Sequence, residues 1–224
     1  MAHATGLVVD TITATIAATG QFNIKDNAVI VHNGGGLLGP ILAPITGYLA
    51  VGYNPGGALP GGANSWWDGY GINSSVAALD GFSNSVSLDH GIGGILNVLD
   101  ASIGGGPLFT SFYGKTVGVT DTLIRYTCMG DADLSGQVDA TDQFFLDNGQ
   151  IFGLTGWLNG DFDYSGGPPD GTDQFWIDNS AAHGCLALPN PPAPPLGLAV
   201  PEPGSALLLA LGLMGLLNTR SNRK

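Results

Sequence analysis

The sequence predicts an α+β protein in which a β-rich N-terminal domain (1–127) is followed by a small α-helical module (128–186), a Pro-rich linker (187–203) and a C-terminal apolar helix. Three observations lead there. Stretches rich in Val, Ile and Thr recur before residue 127, an acidic segment repeats itself after residue 130, and beyond Cys185 the composition switches to proline and then to an unbroken apolar run.

Residues 7–19 and 22–32 are β-branched, partly alternate apolar with polar, and are split by Gly20 and Gln21, which predicts two paired strands. Apolar residues from Pro40 to Leu49 fall at helical intervals despite Pro44 and Gly47. Residues 54–71 read as a long Gly-rich loop carrying Trp66 and Trp67, and 74–79 as a short helix capped by Asn73 or Ser74. Strands are expected near 85–89, at 108–113 and, most clearly, at 117–127, which runs directly into the acidic segment.

Charge narrows the partners. The chain carries 18 acids against 6 bases, a formal net charge of −12, so it lacks the clustered Lys and Arg that a nucleic-acid partner requires. Ten Asp fall between Asp131 and Asp178 with no Lys or Arg among them, and such uncompensated charge in a folded module calls for a cation. With 37 Gly and few charges elsewhere, the remainder suits an extracellular β-rich protein. The two cysteines, Cys128 and Cys185, and the four scattered histidines do not fit a zinc site.

Comparing the chain with itself is more informative. DADLSGQVDATDQFFLDN at 131–148 matches DFDYSGGPPDGTDQFWIDN at 161–179. In the first copy Asp131, Asp133, Ser135, Asp139 and Asp142 occupy loop positions one, three, five, nine and twelve, Gly136 is sixth, and Gln137 offers its carbonyl from the seventh. This is the spacing by which hard oxygen ligands surround Ca²⁺ while Gly permits the sharp turn. In the second copy Asp161, Asp163, Ser165 and Gly166 keep their places and Gly167 is seventh. Pro168 and Pro169 push Asp170 and Asp173 one step late, giving a loop of thirteen residues whose site is expected to be the weaker. Ser at the fifth position in place of a carboxylate points to affinities toward the ~10⁻⁵ to 10⁻³ M range of extracellular modules.

Asp rather than Glu at the twelfth position, and a strand rather than a helix before the loop, resemble type I dockerins, which carry two loop-and-helix units. The resemblance covers residues 130–180 and implies two Ca²⁺ sites and a short helix after each loop. Phe144, Phe145 and Leu146, matching Phe175, Trp176 and Ile177, would form the core between the two helices. Dockerins dock a cohesin through loop-end positions. Here those are Ala140, Thr141, Gly171 and Thr172, which identify no particular cohesin-like partner. Cys128 and Cys185 stand where the symmetry of a dockerin brings its ends together, so the resemblance implies a disulfide, two unpaired buried thiols being the alternative.

At the C-terminus, Pro201, Glu202 and Pro203 precede the apolar run 205–217 and the basic Arg220, Arg223 and Lys224. The run is short for a full span of roughly 20 residues. The order resembles a PEP-CTERM sorting signal over 201–224, the substrate of exosortase-type transpeptidases in Gram-negative bacteria. It implies export, transient anchoring in the inner membrane through 205–217 with the basic tail inside, and delivery to the outer surface or extracellular matrix. Residues 1–10 lack a signal peptide's basic and apolar regions, and the opening strands resemble the terminal part of large bacterial surface proteins. The chain is therefore expected to be the end of a larger one.

No nucleophile elbow, HExxH, phosphate loop or Ser–His–Asp set occurs, and no catalytic residue is assigned. Asp68, Asp80 and Asp89 read as solvated loop acids rather than a glycosidase pair. Trp66, Trp67 and Tyr70 read as an apolar plug under the Gly-rich loop, with a sugar-stacking platform as the alternative. Two functions remain open. One is a calcium-binding structural or adhesive surface protein. The other is the C-terminal part of a secreted polysaccharide-degrading enzyme whose dockerin-like module docks a partner.

Overall fold

The computed structural model describes residues 8–11, 15–33, 42–54, 66–83, 89–99 and 105–185. The chain divides into two units, Met1–Pro194 and Pro195–Lys224. The second lies outside the described residues, and with it the apolar run 205–217, the Pro201–Glu202–Pro203 motif and the basic Arg220, Arg223 and Lys224; so does the whole linker expected at 187–203. Among the described residues, no helix is long and apolar enough to cross a membrane.

A four-stranded sheet organises the first unit, in the order β1 (Val8–Thr11), β3 (Ala28–Val31), β8 (Thr122–Cys128), β5 (His90–Leu96). β1 and β3 pair in parallel, Val8 opposite Ala28, whereas β8 runs antiparallel to both β3 and β5. The two opening stretches are thus neighbours, but the second is divided. Its first part, β2 (Gln21–Asn23), leaves the sheet to pair in parallel with β4 (Gly71–Asn73). The expected strand at 108–113 shrinks to the hairpin β6 (Ser111–Phe112) and β7 (Lys115–Thr116). The strand expected at 85–89 falls almost wholly outside the described residues.

Helix α1 (Leu42–Tyr53) tolerates Pro44 because that residue sits in the first turn, where backbone N–H groups have no intrahelical partner to lose. Ile45, Leu49 and Tyr53 form its buried face. Helix α2 (Ser75–Ser83) starts at Ser74, whose hydroxyl accepts from the Ala77 N–H at 3.0 Å, so Ser74 rather than Asn73 is its cap.

Strand β5, HGIGGIL, was not expected, since three glycines in seven residues argue against a strand. Packing explains it. A Cβ on Gly93 would lie 2.4 Å from Leu134 Cδ2 and 2.6 Å from Trp157 Nε1, and one on Gly91 would lie 2.4 Å from Met129 Sδ and 2.9 Å from Trp67 Cζ2. The missing side chains admit the rings that close the core.

The boundary expected after residue 127 falls inside continuous packing. Leu134, Trp157, Phe162 and Tyr164 from the acidic repeats join Ile92, Ile95, Leu123 and Ile124 of the sheet in one hydrophobic core. The Tyr164 hydroxyl donates to the carbonyl of Ile92 at 2.7 Å, tying the second repeat to β5.

Candidate metal centre

Both acidic loops use the same backbone device. The fourth loop residues, Leu134 and Tyr164, adopt φ of 59° and 55°, and Gly136 and Gly166 adopt 95° and 80°. This left-handed pair turns the chain sharply enough to aim its N–H groups inward. In loop one Ser135 N–H donates to Asp131 Oδ1 and Asp133 Oδ1, both at 2.9 Å, and Gly136 N–H to Asp131 Oδ2 at 2.8 Å. In loop two Ser165 N–H donates to Asp163 Oδ1 at 2.9 Å and Gly166 N–H to Asp161 Oδ2 at 3.2 Å.

The last Asp of each loop closes it. Asp142 accepts from Ala132 N–H at 2.7 Å with one oxygen and from Asp139 N–H at 2.8 Å with the other; Asp173 accepts from Phe162 N–H at 2.7 Å and Asp170 N–H at 2.9 Å. Helices α3 (Ala140–Phe152) and α4 (Gly171–His183) begin at these points. Asp139 and Asp170 are their N-caps, accepting from Thr141 and Thr172 N–H at 2.7 Å, and each helix carries a full capping box. The residue inserted in loop two is absorbed before Asp170, which keeps the role of Asp139.

Three carboxylates converge in each loop. Oxygens of Asp131, Asp133 and Asp142 lie within 4.8 Å of one another, and so do those of Asp161, Asp163 and Asp173. Asp139 and Asp170 stand outside these triads, engaged as caps. Ser135 Oγ donates to Asp131 Oδ1 at 3.3 Å or to the Gln137 carbonyl at 3.3 Å, and Ser165 Oγ to Asp161 Oδ1 at 3.4 Å. Gly167, expected to offer its carbonyl, is held through its N–H to Ser165 Oγ at 3.4 Å.

Burial makes Asp131, Asp133, Asp142, Asp161 and Asp173 costly to ionise. It pushes Asp131 up to about 7, with Asp133 adding to the rise while the Arg125 guanidinium, the Thr127 hydroxyl and the Gly136 N–H oppose it. Burial and the charges of Asp131 and Asp133 raise Asp142 to about 9. Burial raises Asp173 to about 6 against the N–H groups of Asp170 and Phe162, and it also raises Asp133 and Asp161. All-oxygen donors of this kind fit a hard cation, and a divalent ion at each triad would relieve the crowding of like charges.

Several residues that build the centre carry no motif. Arg125, fully buried on β8, donates to the Leu134 carbonyl at 2.8 Å, and its guanidinium lies against Gly136. Thr127 donates to Asp131 Oδ2. Trp157, in a 3-10 turn (Trp157–Asn159) between the repeats, donates from Nε1 to the Asp131 carbonyl at 2.7 Å. A lone Arg two residues before a buried Thr and just ahead of an acidic loop was the only available signal, and it specifies no contact.

Phe145, Leu146, Trp176 and Ile177 are buried in the shared core, whereas Phe175 is 52% exposed. A disulfide joins Cys128, at the end of β8, to Cys185, just past α4, with Cα atoms 6.1 Å apart. Asp89 accepts from Asn179 and lies 3.1 Å from His183 Nδ1, and Asp68 accepts from Asn54 at 2.9 Å, so both acids are occupied in tying segments together. The tryptophans divide: Trp67 is 1% exposed and edge-on to Tyr53 in the core, while Trp66 is half-buried at the rim of a cleft.

Residues 199–224 match the family model of the PEP-CTERM protein-sorting motif. PEP-CTERM domains are recognised by exosortase, and the motif marks an exported, cell-surface protein. No dockerin or EF-hand family model matches the acidic repeats. No curated protein and no solved structure matches the chain.

Proposed function

We propose that the acidic repeats form a dockerin-like module binding two Ca²⁺ ions in a non-catalytic structural or adhesive protein, delivered by exosortase sorting to the outer surface or matrix of a Gram-negative bacterium. The observation carrying this reading is the recurrence, in two loops of different length, of one arrangement: three converging, largely buried carboxylates, of which the closing pair, Asp142 and Asp173, have pKa values raised by burial. Asp131, Asp133 and Asp142 would hold one ion and Asp161, Asp163 and Asp173 the other, with Ser135 and Ser165 at hand as neutral oxygens. The role is architectural: each ion would staple the chain where the sheet hands over to α3 and where α3 hands over to α4. During sorting, the apolar run 205–217 would anchor the chain transiently in the inner membrane.

Isothermal calorimetry on the whole chain tests this. Two Ca²⁺ per chain are expected, with dissociation constants between about 10⁻⁵ and 10⁻³ M. Asp142→Ala leaves one site, and Asp142→Ala combined with Asp173→Ala leaves none. Absence of calcium-dependent heat in the folded wild-type protein overturns the proposal.

A further inference from the structure

Between α1, Trp66 and the second acidic loop lies a cleft of about 430 Å³, lined by Ala50, Tyr53, Trp66, Tyr164, Asp163, Ser165 and Thr172. Its volume falls in the range of small-ligand sites. Its two ends differ chemically. One is aromatic: Trp66 is held against Tyr53 at 5.2 Å and edge-on to Trp176 at 5.7 Å, and the Tyr164 ring is anchored from below through its hydroxyl to Ile92. Its rings are fixed by packing, so little side-chain freedom remains to be lost on binding. The other end is the open side of loop two, where Asp163 and Ser165, both members of the candidate metal site, line the same space.

Rigid aromatic surface beside hydroxyl and carboxylate oxygens matches a molecule with an apolar C–H face and a hydroxylated rim. A pyranose ring has that surface. Loop two is also more accessible than loop one: Asp163 is half-buried where its counterpart Asp133 is 5% exposed. Ca²⁺ coordination commonly includes water oxygens that other hydroxyls can replace. Leu134, the counterpart of Tyr164 in loop one, is entirely enclosed in the core.

We propose that this cleft binds a hexose unit of an extracellular polysaccharide, its apolar face on Trp66 and its hydroxyls reaching the Ca²⁺ held by loop two. The inference rests on the calcium reading above for its metal and adds to it a ligand, a site and a division of labour between the repeats. Loop one is a closed structural site and loop two an open, ligand-facing one.

Saturation-transfer NMR on the whole chain, with a panel of neutral hexoses and their β-linked tetrasaccharides, tests it alongside calcium calorimetry. Transfer to at least one sugar is expected in saturating Ca²⁺. That sugar should lower the midpoint for Ca²⁺ at the open site on the order of fivefold, because coupling between ligands is reciprocal. Trp66→Ala and Ala50→Phe, which remove the platform and narrow the cleft, should each abolish transfer while two Ca²⁺ still bind. The inference is overturned if calcium binds normally and no sugar shows transfer, if both variants retain it, or if sugar binding leaves the Ca²⁺ midpoint unmoved. Preference for a phenol or indole probe over every sugar also overturns it, marking an apolar docking site instead. Loss of the calcium heat itself would instead indict the metal reading.

Discussion

Gln143 and Gln174, the residues that follow the closing Asp of each loop, exchange a reciprocal pair of side-chain hydrogen bonds, each amide nitrogen donating to the other's oxygen at 3.0 Å. Each also donates within its own helix, Gln143 to Asp147 at 2.8 Å and Gln174 to Asp178 at 3.0 Å. Because the two glutamines hold equivalent places, the pair marks a local two-fold relation between the repeats. Either Gln→Ala change should cost about 1 kcal/mol. The double change should cost less than the sum, by roughly 0.5–1 kcal/mol, in a urea-denaturation double-mutant cycle.

Proton release should accompany calcium binding. Burial raises Asp131 to about 7, Asp142 to about 9 and Asp173 to about 6 in the calcium-free fold, so at neutral pH the folded chain retains protons that the unfolded chain has shed. More protons on the native state means that stability without calcium falls as pH rises, from about 4 through about 9. Calcium affinity should climb over the same window. Calorimetry at pH 7 in two buffers of different ionisation enthalpy should give different apparent heats; equal heats would refute the proton exchange.

Arg125 is the counter-charge built under loop one. Arg125→Met strands the Leu134 carbonyl and leaves Asp131 without its cation, and should destabilise the calcium-free protein by on the order of 3 kcal/mol. Saturating Ca²⁺ should recover part of that loss, and the affinity of site one should rise, since a competing positive charge is gone. Thermal melts with and without Ca²⁺ measure both effects. The inserted residue in loop two favours site one, whereas Arg125 disfavours a cation there; the variant isolates the second effect.

Reduction should loosen the module. The Cys128–Cys185 bridge spans a separation of 57 residues, for which chain entropy predicts about 4 kcal/mol. Cys128→Ala with Cys185→Ala should lower the urea midpoint by a corresponding amount. Thiol counting on the unfolded, unreduced wild type should find no free cysteine.

Gly93→Ala probes the route by which the repeats dock on the sheet. Its new Cβ would meet Trp157 Nε1 at 2.6 Å, displacing the ring that donates to the Asp131 carbonyl. Destabilisation of about 1–3 kcal/mol is expected, together with weaker calcium binding at site one. An unchanged calcium isotherm would show that Trp157 does not position the loop.

What the sequence by itself determined about this protein lies in short-range order. Turn, capping and loop-closing groups in 131–142 and 161–173 act within a dozen residues of one another, so their spacing along the chain already specifies which N–H meets which carboxylate, and the PEP-CTERM motif is linear by nature. Tertiary structure alone decided the rest. The glycines of β5 give no strand signal until the rings crossing it are known. Arg125 is an ordinary strand residue until β8 passes beneath Gly136, and Trp66 and Trp67 look alike until one enters the core and the other lines a cleft. Each of these depends on steric fit and charge compensation between segments tens of residues apart, and no local pattern encodes which segments will meet.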